Sequence, residues 1–531
     1  MRLYDIYDPE KRKVLEDKGY EVPVYDREAL KERTKEAPAW VHFGAGNIFR
    51  AYQCDLLEQL LNRGEFDKGV IVAEAFDYDI IDKAYRPYDN LSLSVVLHAD
   101  GQVDKKIVGC MTESLKADKS FEEDWVRLTE IFRAKSLQMV TFSITENGYG
   151  YPEEDIARGF DSRLTMGKIT ALLYERFKAG AFPLALQSQD NVSNNGDKVK
   201  AAVRAYAEGW CKAGLVPEAF VTYAEDETIV SCPLSMIDKI TPRPDPRVQK
   251  ILSDEGFEDN EWIETDRHSF TAPYVNSEEV GYLVMEDRYP NGRPPFEKAG
   301  VIYTDRETVE KTERMKVGTC LNPLHVALSI YGCMMGFHLV SDIMADPDLL
   351  SYLEHIGNDE GLPVCESPGI LDPKKFMDEC LYVRFANVYV PDTPQRIAVD
   401  TSTTIGIRFG GTLKEHIRRG HDVTKLTYIP LLFAGYARYL RGLTDDLTPF
   451  TCSPDHRLPL YQPIVAGLEV KEGEQDFSCL KELFKHSETF GIDIYACGLG
   501  EKVEAMAKEL YQGKGAIRRT LHKYVTEKPE A

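Results

Sequence analysis

The chain has 531 residues, 43% of them hydrophobic, and carries a net charge of -23 from 64 basic and 87 acidic side chains. That length exceeds one core and predicts two or more domains, while the acidic balance argues against nucleic acid and anionic membrane as partners. Eleven cysteines lie scattered with no C-x-x-C pair, the usage of a reducing cytosol, and a Cys/His metal site is not expected.

Residues 1 to 36 are dense in charge and tyrosine, with one helical segment around Arg27 to Lys35, and read as an N-terminal extension on the surface. Met1 opens directly into charged residues without a signal-peptide pattern, so a cytoplasmic location is expected. Trp40 to Phe43 is a short apolar strand that runs into Gly44-Ala45-Gly46-Asn47-Ile48-Phe49-Arg50 and the amphipathic helix Ala51 to Asn62. Strand, glycine turn and helix form the first half of a dinucleotide-binding βαβ unit, in which pyrophosphate approaches the backbone at a helix N-terminus. Phe49 stands where a third glycine is usual, so an ordinary turn is the alternative reading.

Gly69 to Asp77 reads as the second strand, with Glu74 and Asp77 placed to hold a ribose hydroxyl or simply to end the strand. No arginine follows until Arg86, which favours NAD over NADP. Leu91 to His98 and Lys106 to Cys110 predict a hairpin inserted in the sheet. A helix over 121 to 134 leads to the buried strand Gln138 to Ile144, which ends in Thr145-Glu146-Asn147-Gly148-Tyr149. Polar groups there occupy the end of a parallel strand where open α/β sheets bind ligands. Pro183 to Gln187 runs likewise into Asp190-Asn191 and Asn194-Asn195-Gly196, whose amides suit a substrate oxygen or plain turn chemistry. Phe220 to Tyr223 and Ser235 to Pro242, containing Asp238, read as further strands. The proline-rich loop Asp287 to Pro295 marks the domain boundary, giving an extension at 1 to 36, a Rossmann-like domain at 37 to 295 and a mainly helical substrate domain at 296 to 531.

In the second domain helices are expected at 305 to 316, 323 to 340, 346 to 355, 373 to 386, 411 to 419, 424 to 442, 476 to 487 and 499 to 511, with a polar tail from Thr526. Val317 to Val340 holds no charged residue, but its polar, proline-containing first third makes it a buried core helix rather than a membrane span. Glu313, Lys316, Asn322 and His325 precede or begin that run. On one unbroken helix Lys316 and His325 would face apart, at about 100° per residue. Asn322-Pro323 therefore predicts a break, with a connector at 317 to 321, Asn322 as cap and His325 in the first turn of a new helix, where the dipole keeps imidazole neutral. A carboxylate, an amine, an amide and an imidazole are the groups that carbonyl reduction or alcohol oxidation needs.

These motifs together resemble the polyol-specific long-chain dehydrogenases and reductases, the family of mannitol 2-dehydrogenase, fructuronate reductase and tagaturonate reductase. The resemblance spans roughly residues 38 to 442. It rests on the Gly44 to Arg50 turn, Thr145 to Tyr149, Asp190-Asn191 with Asn195-Gly196, Ser235 to Pro242, Asp287-Arg288 with Arg293-Pro-Pro, Lys316 with Asn322 and His325, and Arg384-Phe-Ala-Asn387 with Asp392 and Arg396. It implies an α/β Rossmann-like domain with a mixed sheet, a helical second domain and metal-free NAD(P)-dependent chemistry on a small sugar acid or polyol. By resemblance Lys316 is the acid/base, Asn191 and Asn322 hold the oxyanion, His325 orients substrate, Glu313 assists proton movement, and Asp238, Arg396 and Asn195 touch substrate. Gly44 to Arg50, Glu74, Asp77, Thr145, Glu146 and Asn147 would bind the cofactor. Two departures stand out. Lys316 precedes Asn322 by six positions where the family pattern has five, and the lysine often found eight residues after the counterpart of Arg396 is Thr404 here. The expected reaction is D-fructuronate/D-mannonate interconversion with NAD(H), with mannitol 2-dehydrogenase or tagaturonate reductase as alternatives and a non-catalytic NAD-binding sensor as a different class.

Overall fold

Six short strands, each almost wholly buried, form the centre of the first part of the chain: β1 Trp40–Phe43, β2 Val70–Glu74, β3 Met111–Lys116, β4 Met139–Phe142, β5 Leu184–Ser188 and β6 Val230–Ser231. All pair in parallel, in the order β3-β2-β1-β4-β5-β6. A parallel sheet needs both faces covered, and alternation supplies two apolar sets. Val41, Phe43, Ile71 and Ala73 enter one core, while Trp40, Val70, Val72 and Met139 enter the other. The strand order reverses between β1 and β4, the switch point where doubly wound sheets bind ligands.

The computed structural model describes residues 1 to 526, and the chain divides into two units, Met1–Glu310 and a second from Lys311 on. In the first unit the predicted hairpin forms, Ser92–Leu97 against Val103–Val108, but it lies outside the main sheet. It builds a separate four-stranded sheet with Tyr20–Glu21 and Tyr274–Glu278. The N-terminal extension is therefore part of a sheet, and it buries Leu3, Leu15 and Leu30. Phe220 to Tyr223 corrects the strand expected there: it lies within the helix Glu218–Glu225, whose buried Phe220, Tyr223 and Ala224 follow helical spacing. Ser235–Asp238, Tyr282–Glu286 and Ile302–Thr304 make a third sheet. Because Ile302–Thr304 pairs with Tyr282–Glu286 across the proline-rich loop, the first unit extends past that loop to Glu310.

The second unit is helical. The helix Asn322–Met334 (α1) has eleven of its residues buried and packs on Tyr428–Tyr439 (α2), which is buried throughout. Tyr331 donates to the Leu431 carbonyl at 2.7 Å across this pair, and its ring fills the space a Cβ on Gly435 would occupy. The uncharged run ends as a helix at Met334, with Gly336 at φ +78°. Among the described residues no helix is long and apolar enough to cross a membrane. The tail predicted from Thr526 lies, after its first residue, outside the described residues.

Candidate active site

The turn after β1 has room for backbone and little else. Gly44 has φ +109°, and a Cβ there would stand 2.2 Å from the Ser143 carbonyl oxygen, so only glycine fits. Gly46 is different: a Cβ there would meet nothing within 4 Å. The helix opens at Asn47 and passes through a π-turn, Phe49–Gln53, into Cys54–Asn62. A glycine turn feeding a helix N-terminus at the switch point is the arrangement that receives a pyrophosphate, and Gly44, Ala45, Gly46, Asn47 and Ile48 form it. The side chains of Phe49 and Arg50 pack into the scaffold, which leaves only their backbone to face a cofactor. Phe49 stacks on His42 at 4.1 Å and 5° and meets Trp40 edge-on. Arg50 is fully buried and donates to the Ala272 carbonyl at 2.7 Å, Thr271 Oγ1 at 2.6 Å and Asn47 Oδ1 at 3.0 Å.

The acids at the end of β2 are tied into the chain. Glu74 accepts backbone N–H bonds from Ala45 at 2.8 Å, Phe76 at 2.8 Å and Asp77 at 3.1 Å, which locks the glycine turn to the strand end. Burial pushes its carboxyl above the usual range, with the three N–H groups opposing. Asp77 accepts from Thr265 Oγ1 at 2.6 Å. Between them Phe76 is 62% exposed, with the Arg267 guanidinium 4.2 Å from its ring centre. Neither Phe76 nor Arg267 was marked by any sequence motif; an apolar residue between two strand-end acids was the available signal. These residues fit a dinucleotide.

Asp190 organises the ends of β4 and β5. Its carboxylate accepts from the backbone of Ile144 at 2.9 Å and Thr145 at 3.3 Å and from the Tyr149 hydroxyl at 2.5 Å. Thr145 is held at φ 64° and ψ 165°, a region essentially reserved for glycine. Thr145, Glu146, Asn147 and Asn191 are exposed on this rim. Glu146 pairs with Lys198 across an open cavity of about 410 Å³, lined also by Tyr149, Tyr151 and Asn194. Asn195 is engaged within its own loop. It is buried, its amide donates to the Asp190 and Ser235 carbonyls at 3.1 and 2.9 Å, and its Oδ1 accepts from Ser235 N–H at 3.1 Å, so it staples the loop. Asp238 ends the strand Ser235–Asp238 and is buried.

The helix Arg306–Met315, which enters the second unit at Lys311 and carries Glu313, ends at a π-turn, Lys316–Cys320. The Leu321 N–H closes it on the Lys316 carbonyl at 3.0 Å. A π-turn is how a helix absorbs one inserted residue, and such turns gather at functional sites. Lys316 is buried, at 1% exposure. Asn322 is the first residue of α1 and not its cap, since Leu321 occupies the cap at φ -123°. Asn322 Oδ1 is buried with no hydrogen-bond partner among the described residues, and a buried unsatisfied amide atom calls for an explanation such as a substrate. His325 lies in the first turn of α1 and stacks on Phe385 at 4.5 Å and 30°. Arg396 is bound bidentately by Asp392, at 2.6 and 2.5 Å, with its side chain 69% exposed.

Two family models match the chain: the mannitol dehydrogenase Rossmann domain over residues 38 to 288 and the mannitol dehydrogenase C-terminal domain over residues 308 to 510. This chain belongs to the mannitol dehydrogenase family. It is accordingly an oxidoreductase of the type acting on a CH–OH group. Among members of the family, a D-mannonate oxidoreductase of Thermotoga maritima is 44% identical over 528 residues, 97% of each chain. A mannitol 2-dehydrogenase of Phaeosphaeria nodorum is 28% identical over 485 residues, 87% of this chain and 77% of its own. The family fold is seen in a substrate-free D-sorbitol dehydrogenase, with TM-score 0.78 and 23% identity over 95% of this chain and 97% of that one. It is seen too in the Pseudomonas fluorescens mannitol 2-dehydrogenase ternary complex with NAD and D-mannitol, with TM-score 0.68 and 24% identity over 96% and 97%.

Proposed function

We propose that the protein is an NAD-dependent oxidoreductase interconverting D-fructuronate and D-mannonate, with Lys316 as acid/base. The observation that carries the substrate is the 44% identity, across nearly the whole of both chains, to a D-mannonate oxidoreductase, against 28% for a mannitol 2-dehydrogenase. Bound NAD(H) supplies or accepts the hydride. NAD as that cofactor is supported by the match to the mannitol dehydrogenase Rossmann domain and by the likeness to a mannitol 2-dehydrogenase complexed with NAD.

The proton chemistry falls to the second unit's own residues. Lys316 Nζ, on a side chain buried at 1% exposure, is the group that donates to a developing alkoxide and takes a proton from an alcohol in reverse. The Asn322 amide offers an uncommitted polar atom for the same oxygen, since an amide flip presents either its nitrogen or its oxygen. His325, its ring held by Phe385, orients a hydroxyl, and Glu313, three residues before the lysine, is the proton relay. Asn191 and Asp238 keep the oxyanion and substrate roles that the family pattern assigns them.

NADH oxidation measured in parallel with fructuronate, tagaturonate and fructose tests this. The expected result is the highest kcat/KM with fructuronate. Preference for fructose would transfer the assignment to mannitol 2-dehydrogenase, and preference for tagaturonate to that reductase. NADH binding without turnover of any of the three would favour a sensor.

A further inference from the structure

A substrate carboxylate requires a cation whose charge is not already neutralised. Arg396, the arginine the family pattern offers, is held bidentately by Asp392 and is largely exposed. Position 404, where the family often carries a lysine, is Thr404, and its hydroxyl donates to the Thr401 carbonyl at 3.2 Å. One turn further along, the helix Thr401–Ile405 continues into a π-turn, Gly406–Gly410, that carries Arg408.

Arg408 is half-buried, and among the described residues no carboxylate pairs with it. Among the described residues its guanidinium makes one hydrogen bond, from Nη1 to the carbonyl of Val317, the residue next to Lys316, at 3.3 Å. That bond satisfies an acceptor in the lysine's own π-turn and leaves the remaining guanidinium donors uncommitted. Burial lowers the Arg408 pKa with no acid to offset it. A guanidinium taken out of water without a counter-charge is costly unless an anion completes it. The arginine is also firmly seated. Cβ atoms on Gly406 or Gly410 would lie 2.9 and 2.6 Å from the backbone of Gly491, so two turns of chain pack without intervening side chains, and Phe409 is buried.

We propose that Arg408 is the cation that receives the substrate's carboxylate, replacing the lysine missing at Thr404 from one turn away, and that it makes this enzyme selective for sugar acids over neutral polyols. This rests on the sugar-acid reading of the function. A planar guanidinium binds a carboxylate through two parallel N–H bonds, which an alcohol terminus cannot match.

The test is the ratio of kcat/KM for D-mannonate to that for D-mannitol in the wild type, Arg408→Met, Arg408→Lys and Arg396→Met. Arg408→Met should lower the ratio on the order of 100-fold, mainly through KM for mannonate, with Arg408→Lys restoring part of it. Arg396→Met should change the ratio by less than about threefold, as expected for an exposed ion pair. Equal loss on both substrates in Arg408→Met would overturn the proposal by assigning Arg408 a purely structural role, and so would a collapse of the ratio in Arg396→Met. A wild type that oxidises mannitol but not mannonate would sink the functional reading itself. A wild type selective for mannonate whose ratio survives Arg408→Met would sink only the role of Arg408.

Discussion

The amide of Leu321 donates to the carbonyl of Lys316 at 3.0 Å, five residues back instead of four. This single bond accounts for the spacing of six between Lys316 and Asn322, because a π-turn takes up one extra residue while the helices on either side keep their register. Removing the residue should therefore be tolerated. Deletion of Gly318, whose Cβ position is open, should convert the π-turn to an α-turn with the family spacing, and leave kcat within about tenfold of wild type. A fall of three orders of magnitude in a folded deletion variant would show that the π-turn itself is required.

Lys316→Ala should lower kcat on the order of 10²- to 10⁴-fold, the usual range for losing a positioned acid/base, with NADH affinity nearly intact. Steady-state kinetics and NADH fluorescence titration measure the two separately. A nearly active variant would remove Lys316 from the mechanism.

Gly44→Ala combines a positive φ with a Cβ 2.2 Å from the Ser143 oxygen. It should destabilise the first unit by roughly 2 to 4 kcal/mol and weaken NADH binding, because the loop carrying Ser143 has to move. Thermal melts with and without NADH check both effects.

Thr145 holds a backbone conformation that glycine adopts without strain. Thr145→Gly should relieve that strain and raise stability by about 1 kcal/mol after the added unfolded-state entropy. Since Asp190 pins this segment at the rim of the sheet, the same variant should show a higher KM for NADH through loss of fixed geometry. An unchanged melting temperature would show that the strain is not stored there.

His42 is fully buried against Phe49, with Nδ1 at 2.6 Å from Thr141 Oγ1, and burial lowers its pKa from 6.5 to about 3. A depressed folded pKa means the unfolded chain binds the proton more tightly. Its contribution to stability is complete above pH 6.5 and is lost as pH falls from there towards 3, at roughly 1.4 kcal/mol per pH unit. His42→Phe preserves the stack and removes the titration. Urea unfolding at a series of pH values should therefore give a shallower loss below pH 6.5 in the variant, and parallel curves would contradict this account.

Much of the fold follows from patterns that act within a few residues. The glycine turn, the largely apolar strands β1, β2, β4 and β5, and the buried run of α1 announce themselves because period and composition are local properties. The same locality explains the misreadings. Phe220 to Tyr223 carries an apolar spacing that fits four residues of either strand or helix, and burial against the neighbouring helices decided for helix. The Leu91 to Cys110 hairpin was visible, but the sheet it joins depends on Tyr20–Glu21 and Tyr274–Glu278, partners far away in sequence.

For the site, the sequence by itself determined which residue types were present and in what order, including the four polar groups from Glu313 to His325 and the odd spacing between two of them. Only the tertiary structure decided how they are used. It gave the side chains of Arg50 and Asn195 partners far away in sequence, Thr271 and Ser235, and stacked Phe49 on His42 of the preceding strand. It neutralised Arg396 with Asp392 and left Arg408 with a single carbonyl. Side-chain identity is written in the chain, but whether a charge is spent or available depends on what folds against it.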